Sequence, residues 1–122
     1  MLLLDSNILI YAVKSEALRG FIEREAPAIA SISMIETLGY HAIGHAEERA
    51  LRELFDSSVV IRLTESVVER AIALRQARRM SLGDSIIAAT ALVYDLTLAT
   101  RNLRDFEGIA NLKVIDPMLQ AS

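Results

Sequence analysis

Met1-Leu2-Leu3-Leu4-Asp5-Ser6-Asn7-Ile8-Leu9-Ile10-Tyr11 opens the chain. Met1 to Leu4 reads as a buried strand, since a short unbroken apolar run suits a strand covered on both faces. Asp5-Ser6-Asn7 supplies residues that start a helix, which is predicted over Ile8 to Arg24. That helix should break near Lys14-Ser15 and end before Pro27. The same alternation continues outward. Ala28 to Ser31 is a second short strand, followed by helices over Ile32 to Gly44 and His45 to Phe55. Val59 to Leu63 is β-branched and apolar, a third strand. Thr64 caps a long helix to about Arg79, and Gly83 to Tyr94 is a helix apolar on almost every side. Leu96 to Thr100 and Lys113 to Ile115 are the last strands. Strands separated by helices require crossovers, hence a parallel sheet. The expectation is an α/β fold: one domain over 1–122, a three-layer α/β/α sandwich around a parallel sheet of four or five strands.

Composition narrows the function. With 122 residues, 52% hydrophobic and 24% charged, the chain suits one ordinary domain and excludes a disordered one. The absence of cysteine excludes disulfides, thiol catalysis and thiolate metal sites. His41 and His45 are the only histidines, too few for a multi-histidine zinc site. Thirteen basic residues stand against 16 acidic ones, a net charge of −3, which argues against a strongly basic nucleic-acid binder. A local basic rim stays open, because 11 of the 13 basic residues are arginine, the better phosphate fork. The apolar start lacks a preceding positive region and is cut by Asp5. The longest apolar run, Ile8 to Val13, falls far short of the ~20 residues of a membrane helix. A soluble, cytoplasmic protein is expected.

The carboxylates carry the chemistry. In open parallel sheets, ligands bind outside the carboxyl ends of the strands, near a switch in strand order. Asp5 and the Thr100-Arg101-Asn102 segment both follow strands and belong at that edge. On a helical wheel, Glu36 falls within an apolar arc of Ile32, Ile35, Gly39, Tyr40 and Ile43, so it is expected to be buried. A buried carboxylate needs a partner, either an arginine from another element or a cation. Asp84 completes a capping box with Ser81, and Asn102 to Asp105 reads as a similar turn stopping at Gly108. Each signal also has an ordinary capping explanation. Together they outline an acid cluster without cysteine or a histidine pair, which suits Mg²⁺ or Mn²⁺.

These residues resemble the PIN-domain ribonucleases, and within them the VapC-type toxins of prokaryotic toxin–antitoxin pairs. Leu4 to Tyr11 is similar to the family's first acidic motif, and Ile32-Ser33-Met34-Ile35-Glu36 to its helix-borne glutamate. Ser81-Leu82-Gly83-Asp84-Ser85-Ile86-Ile87-Ala88-Ala89 resembles the third motif, and Leu98 to Phe106 the fourth. The resemblance implies a Mg²⁺- or Mn²⁺-dependent endoribonuclease. Asp5, Glu36 and Asp84 would hold the metal, with Asn102 completing the catalytic set. Asn102 stands where many relatives carry a fourth aspartate, and Asp105 is near enough to act through water. Ser6, Asn7 and Thr100 would orient the carboxylates. Glu36 would orient or deprotonate a water that attacks phosphorus in line, leaving a 5′-phosphate and a 3′-hydroxyl. Arg75, Arg78, Arg79, Arg101 and Arg104 would grip RNA phosphates.

The resemblance further implies a small antitoxin whose tail lies over the active site. It also implies a homodimer, for which Ile8 to Phe21 and Ile32 to Ile43 could supply surfaces. Two other readings compete. A phosphatase of the haloacid-dehalogenase type wants a second aspartate two residues after the first, where this chain has Asn7. A catalytically degenerate domain that only binds RNA or a partner is favoured by Asn102 alone.

Overall fold

The computed structural model describes residues 1–121; Ser122, the last residue of the expected domain, lies outside them. Five strands form one sheet: β1 (Leu2–Leu4), β2 (Ala28–Ala30), β3 (Val59–Ile61), β4 (Thr97–Ala99) and β5 (Lys113–Ile115). Seven helices surround it: α1 (Ser6–Lys14), α2 (Glu16–Glu25), α3 (Ser31–Leu38), α4 (His45–Asp56), α5 (Glu65–Ala77), α6 (Leu82–Tyr94) and α7 (Pro117–Ala121). A 3-10 turn covers Leu103–Phe106. Every strand pair is parallel, in the order β3-β2-β1-β4-β5. The chain therefore winds outward from β1 to β3, then returns to the other side of β1 for β4 and β5. The switch in strand order falls between β1 and β4, and in parallel sheets the ligand crevice lies outside the carboxyl ends at such a switch.

Strand alternation divides the core. Leu2 and Leu4 face one side with Ile29 and Ala99, against Ile8, Leu9 and Ala12 of α1, Leu18, Phe21 and Ile22 of α2, and Leu51, Leu54 and Phe55 of α4. Leu3, Ala28, Ala30 and Leu98 face the other side, against Ile87, Ala88 and Ala91 of α6 and Phe106. Small residues at Ala88 and Ala91 let α6 lie on the sheet. Its second face packs on α5 through Ile86, Ala89, Val67 and Ala71. That double contact explains why α6 reads as apolar nearly all round. The break expected near Lys14-Ser15 is present: Ser15 ends α1 and its hydroxyl caps α2 through the Leu18 N–H.

Helix α3 departs from the expectation twice. It ends at Leu38 rather than Gly44, and Gly39 to Gly44 form a loop. Glu36 is also exposed rather than buried, and its arc neighbours Ile35 (73% exposed) and Tyr40 (56%) face outward with it. The buried face is instead Ser33 and Thr37, one helical turn apart. Two small hydroxyl residues can go inside because they satisfy themselves locally: Thr37 Oγ1 donates to the Ser33 carbonyl at 2.7 Å. The first surface expected for a dimer is also largely spent. Ile8, Leu9, Ala12, Leu18 and Phe21 are core, leaving Ile10 and Tyr11 outward.

Candidate active site

Asp5 is the residue immediately after β1. The register pairs Leu4 with Ala99, which puts Asp5 beside Thr100 at the switch between β1 and β4. Its backbone N–H donates to the Ala99 carbonyl at 2.9 Å. Thr100 Oγ1 donates to Asp5 Oδ2 at 2.7 Å and accepts the Asn102 N–H at 2.9 Å. Thr100 is fully buried and Asp5 only 4% exposed. Although Asp5 occupies the position before α1, its carboxylate forms no capping bond within that helix's first turn. The side chain is turned toward the crevice instead.

Glu36 reaches the same place from α3. Ser6 Oγ donates to Glu36 Oε1 at 2.7 Å and lies 2.9 Å from the Ser33 hydroxyl. Its carboxylate rests over the first turn of α6, so closely that a Cβ on Gly83 would stand 2.5 Å from Glu36 Oε2. Asp84, the next residue, is half-buried, and its N–H donates to Ser81 Oγ at 3.1 Å. The capping reading of Asp84 is therefore correct for its backbone, while its carboxylate shares the crevice with Asp5.

Electrostatics agree with this convergence. Burial pushes the Asp5 carboxyl above its ordinary range, with the Thr100 and Ser6 bonds pulling down and Glu36 and Asp105 pushing up. Burial also raises Asp84, helped by the charges of Asp5, Asp105 and Glu36 and opposed by the Ser81 hydroxyl. Among the described residues, none of these four acids has a basic side chain within ion-pair distance. The arginine partner considered for Glu36 is absent. Repelling, partly desolvated carboxylates that lack a basic partner are a fit for a hard cation. No group of three His, Asp or Glu side chains among the described residues forms a ready-made metal cage.

The remaining predicted residues are placed unevenly. Asn7, Asn102 and Asp105 are exposed around the crevice. Arg75, Arg79 and Arg104 are exposed, while Arg78 donates to the carbonyls of Glu107 and Asp105 and so braces the turn after β4. Arg101 is held by Asp116. Sequence reasoning passed over Ser33, Gly83 and Asp116. Asp116 was findable, because it follows β5 at the same sheet edge that singled out Asp5.

A model of the PIN domain matches residues 2–112. Ribonuclease VapC10 of Mycobacterium tuberculosis (strain CDC 1551 / Oshkosh) is 36% identical over 123 aligned positions, 93% of this chain and 91% of the relative. A chain of a toxin-antitoxin complex from Klebsiella pneumoniae superposes with a TM-score of 0.78 at 32% identity, covering 96% of this chain and 98% of that one. VapBC2 from Rickettsia felis, bound to a DNA fragment from its promoter, gives a TM-score of 0.80 at 23% identity over 93% and 96%, a likeness of fold. Family model and relatives agree over nearly the whole length. This chain belongs to the PIN-domain family.

Proposed function

We propose that this protein is a divalent-metal-dependent endoribonuclease and the toxin of a toxin–antitoxin pair. The single observation that carries the reading is Asp5. It is a buried carboxylate at the switch point of the sheet, held by Thr100, repelled by neighbouring acids and without a basic partner. The names of the relatives, a ribonuclease and a toxin-antitoxin complex, support the same direction. Mg²⁺ is the cation of choice, with Mn²⁺ an alternative; Asp5, Asp84 and Glu36 would hold it. Bound there, it would polarise the scissile phosphate and acidify water.

The chain's own residues do the rest. Thr100 holds Asp5 Oδ2 and so sets the direction of the carboxylate. Ser6, backed by Ser33, orients Glu36, leaving Glu36 Oε2 to accept a proton from the attacking water. Asn102 offers an amide oxygen without charge, and Asp105 acts at longer range through water. Asn7 would bridge the carboxylates. Arg75, Arg79 and Arg104 provide exposed cations for RNA phosphates, and Arg78 and Arg101 add charge from fixed positions. The reaction leaves a 5′-phosphate and a 3′-hydroxyl.

An apolar groove of about 220 Å³ begins at Glu36 and runs along Ile10, Val13, Tyr40, Ile43 and Leu51 to Glu47. It suits an antitoxin tail that is apolar along its length and basic where it meets the acids. A homodimer is part of this reading, with the exposed Leu63, Val68, Ile72 and Leu82 beside α5 and α6 as its surface. The deciding experiment incubates purified protein with end-labelled RNA, with Mg²⁺ or with EDTA, beside Asp5→Asn. Metal-dependent cleavage lost in the variant is expected. No cleavage by the wild-type protein would leave the degenerate-domain reading that Asn102 favours. Growth arrest on expression, relieved by a small neighbouring open reading frame, tests the toxin role.

A further inference from the structure

Arg101 stands between Thr100 and Asn102, at the rim of the crevice. Its Nε lies 3.2 Å from Asp116 Oδ2, and that carboxylate is buried (8% exposed) while the arginine is 37% exposed. Asp116 Oδ1 accepts the Met118 N–H at 3.0 Å, so the carboxylate is fixed at both oxygens. On another side, Arg101 Cζ sits 5.7 Å from the centroid of the Tyr11 ring, itself 48% exposed. Residues from β4's loop, the end of β5 and α1 thus converge on one guanidinium. Its terminal nitrogens, Nη1 and Nη2, form no hydrogen bond among the described residues.

A surface arginine that only attracts phosphate needs no such support, because a flexible point charge does that work. A planar fork paired through its Nε side with a buried carboxylate, its outer edge open, is instead suited to a partner with two adjacent acceptors. Among RNA bases, guanine presents that pair as O6 and N7. Unstacked bases in single strands are also where proteins read RNA sequence. The geometry points to a base-reading subsite in which Arg101, aligned by Asp116 and backed by Tyr11, hydrogen-bonds an unpaired guanine beside the cleaved phosphate. This rests on the nuclease reading of the crevice. In this subsite Asp116 is a positioning residue, and the substrate it favours is single-stranded, guanine-containing RNA.

The test compares short single-stranded RNAs carrying guanine or 7-deazaguanine at each position around the cut, with wild-type protein, Arg101→Lys and Asp116→Asn. 7-Deazaguanine lacks only the N7 acceptor. At one position, wild-type kcat/KM should fall roughly tenfold or more on that change. The ratio should collapse toward one in both variants, whatever their absolute rates. Equal cleavage of both RNAs by the wild type at every position would overturn the subsite and leave Arg101 a brace for the loop. Variants that slow both RNAs equally and keep the wild-type ratio would overturn it too. If no RNA is cut under any divalent metal, the nuclease reading fails first and the subsite falls with it.

Discussion

The two sides of the crevice are built on different principles. Asp5 belongs to the sheet: its N–H is bonded to Ala99, its carboxylate to Thr100, and its position follows from the register of β1 on β4. Glu36 belongs to an eight-residue helix and stands on its exposed face, steadied by the Ser6 and Ser33 hydroxyls over the gap left by Gly83. The first side fixes a charge rigidly and keeps it partly desolvated. The second leaves a carboxylate in water, able to adjust its position. A site that must hold a cation and also move a proton gains from having one of each.

Breaking the rigid side has the largest expected effect. Asp5→Asn should reduce RNA cleavage on the order of 10³-fold or more, by loss of charge at the centre of the crevice. The same variant should melt higher than the wild type without metal, because it removes a desolvated, repelled carboxylate. Thermal unfolding in EDTA measures this, and a lower melting temperature would contradict the account of Asp5. Next, Thr100→Val removes the hydroxyl while keeping the buried shape, and about 10–100-fold of the rate should go. Ser6→Ala on the softer side should cost less, roughly tenfold, because water can replace the hydroxyl beside an exposed Glu36. Equal losses in the two variants would erase the distinction between the sides.

Gly83→Ala sharpens the comparison further. Alanine is the better helix former by about 0.5–1 kcal/mol, so melting should stay level or rise. Glu36 must nonetheless move off the new methyl, and activity should fall about tenfold with the fold intact, as circular dichroism would report. The smallest effect is in pH. Asp5 and Asp84 titrate above 3.8 when folded, so the folded protein holds protons that the unfolded chain has released. The stability these groups contribute is complete below that value and is lost as pH rises through the raised folded values. Mg²⁺ should restore it by neutralising the carboxylates. Melting scans between about pH 4 and pH 8 should show a gain from Mg²⁺ that is greatest near neutrality and fades toward the acid end.

Much of this was legible in the chain itself. Short apolar runs marked all five strands, and the Ser15, Thr64 and Ser81 hydroxyls cap helices as their positions imply. That Asp5 and Thr100 share one edge of the sheet follows from parallel strands, while their adjacency comes from the pairing of β1 with β4. What could not be read was which face of α3 points inward. A helical wheel groups Ile35, Glu36 and Tyr40 correctly, but their exposure depends on neighbours elsewhere in the chain. Here α3 meets α1 through hydroxyls, and Ile35 and Tyr40 are left outside while Ile32, Met34 and Leu38 pack on the core. The role of Gly83 was hidden for a similar reason, since it depends on a side chain 47 positions earlier lying across its backbone.

The bond from Thr100 to Asp5 spans 95 residues, and it gives the molecule an order in time. Synthesis runs from the N-terminus, so β1 leaves the ribosome before the strands that flank it, although its place is the middle of the sheet. Until β4 follows, one edge of β1 is open and Asp5 lacks the hydroxyl that sets its direction. A chain halted before Leu96 would already carry Asp5, Glu36 and Asp84, with β2 beside β1 but no β4 on its other edge. The three acids are written before the strand that closes the site they form.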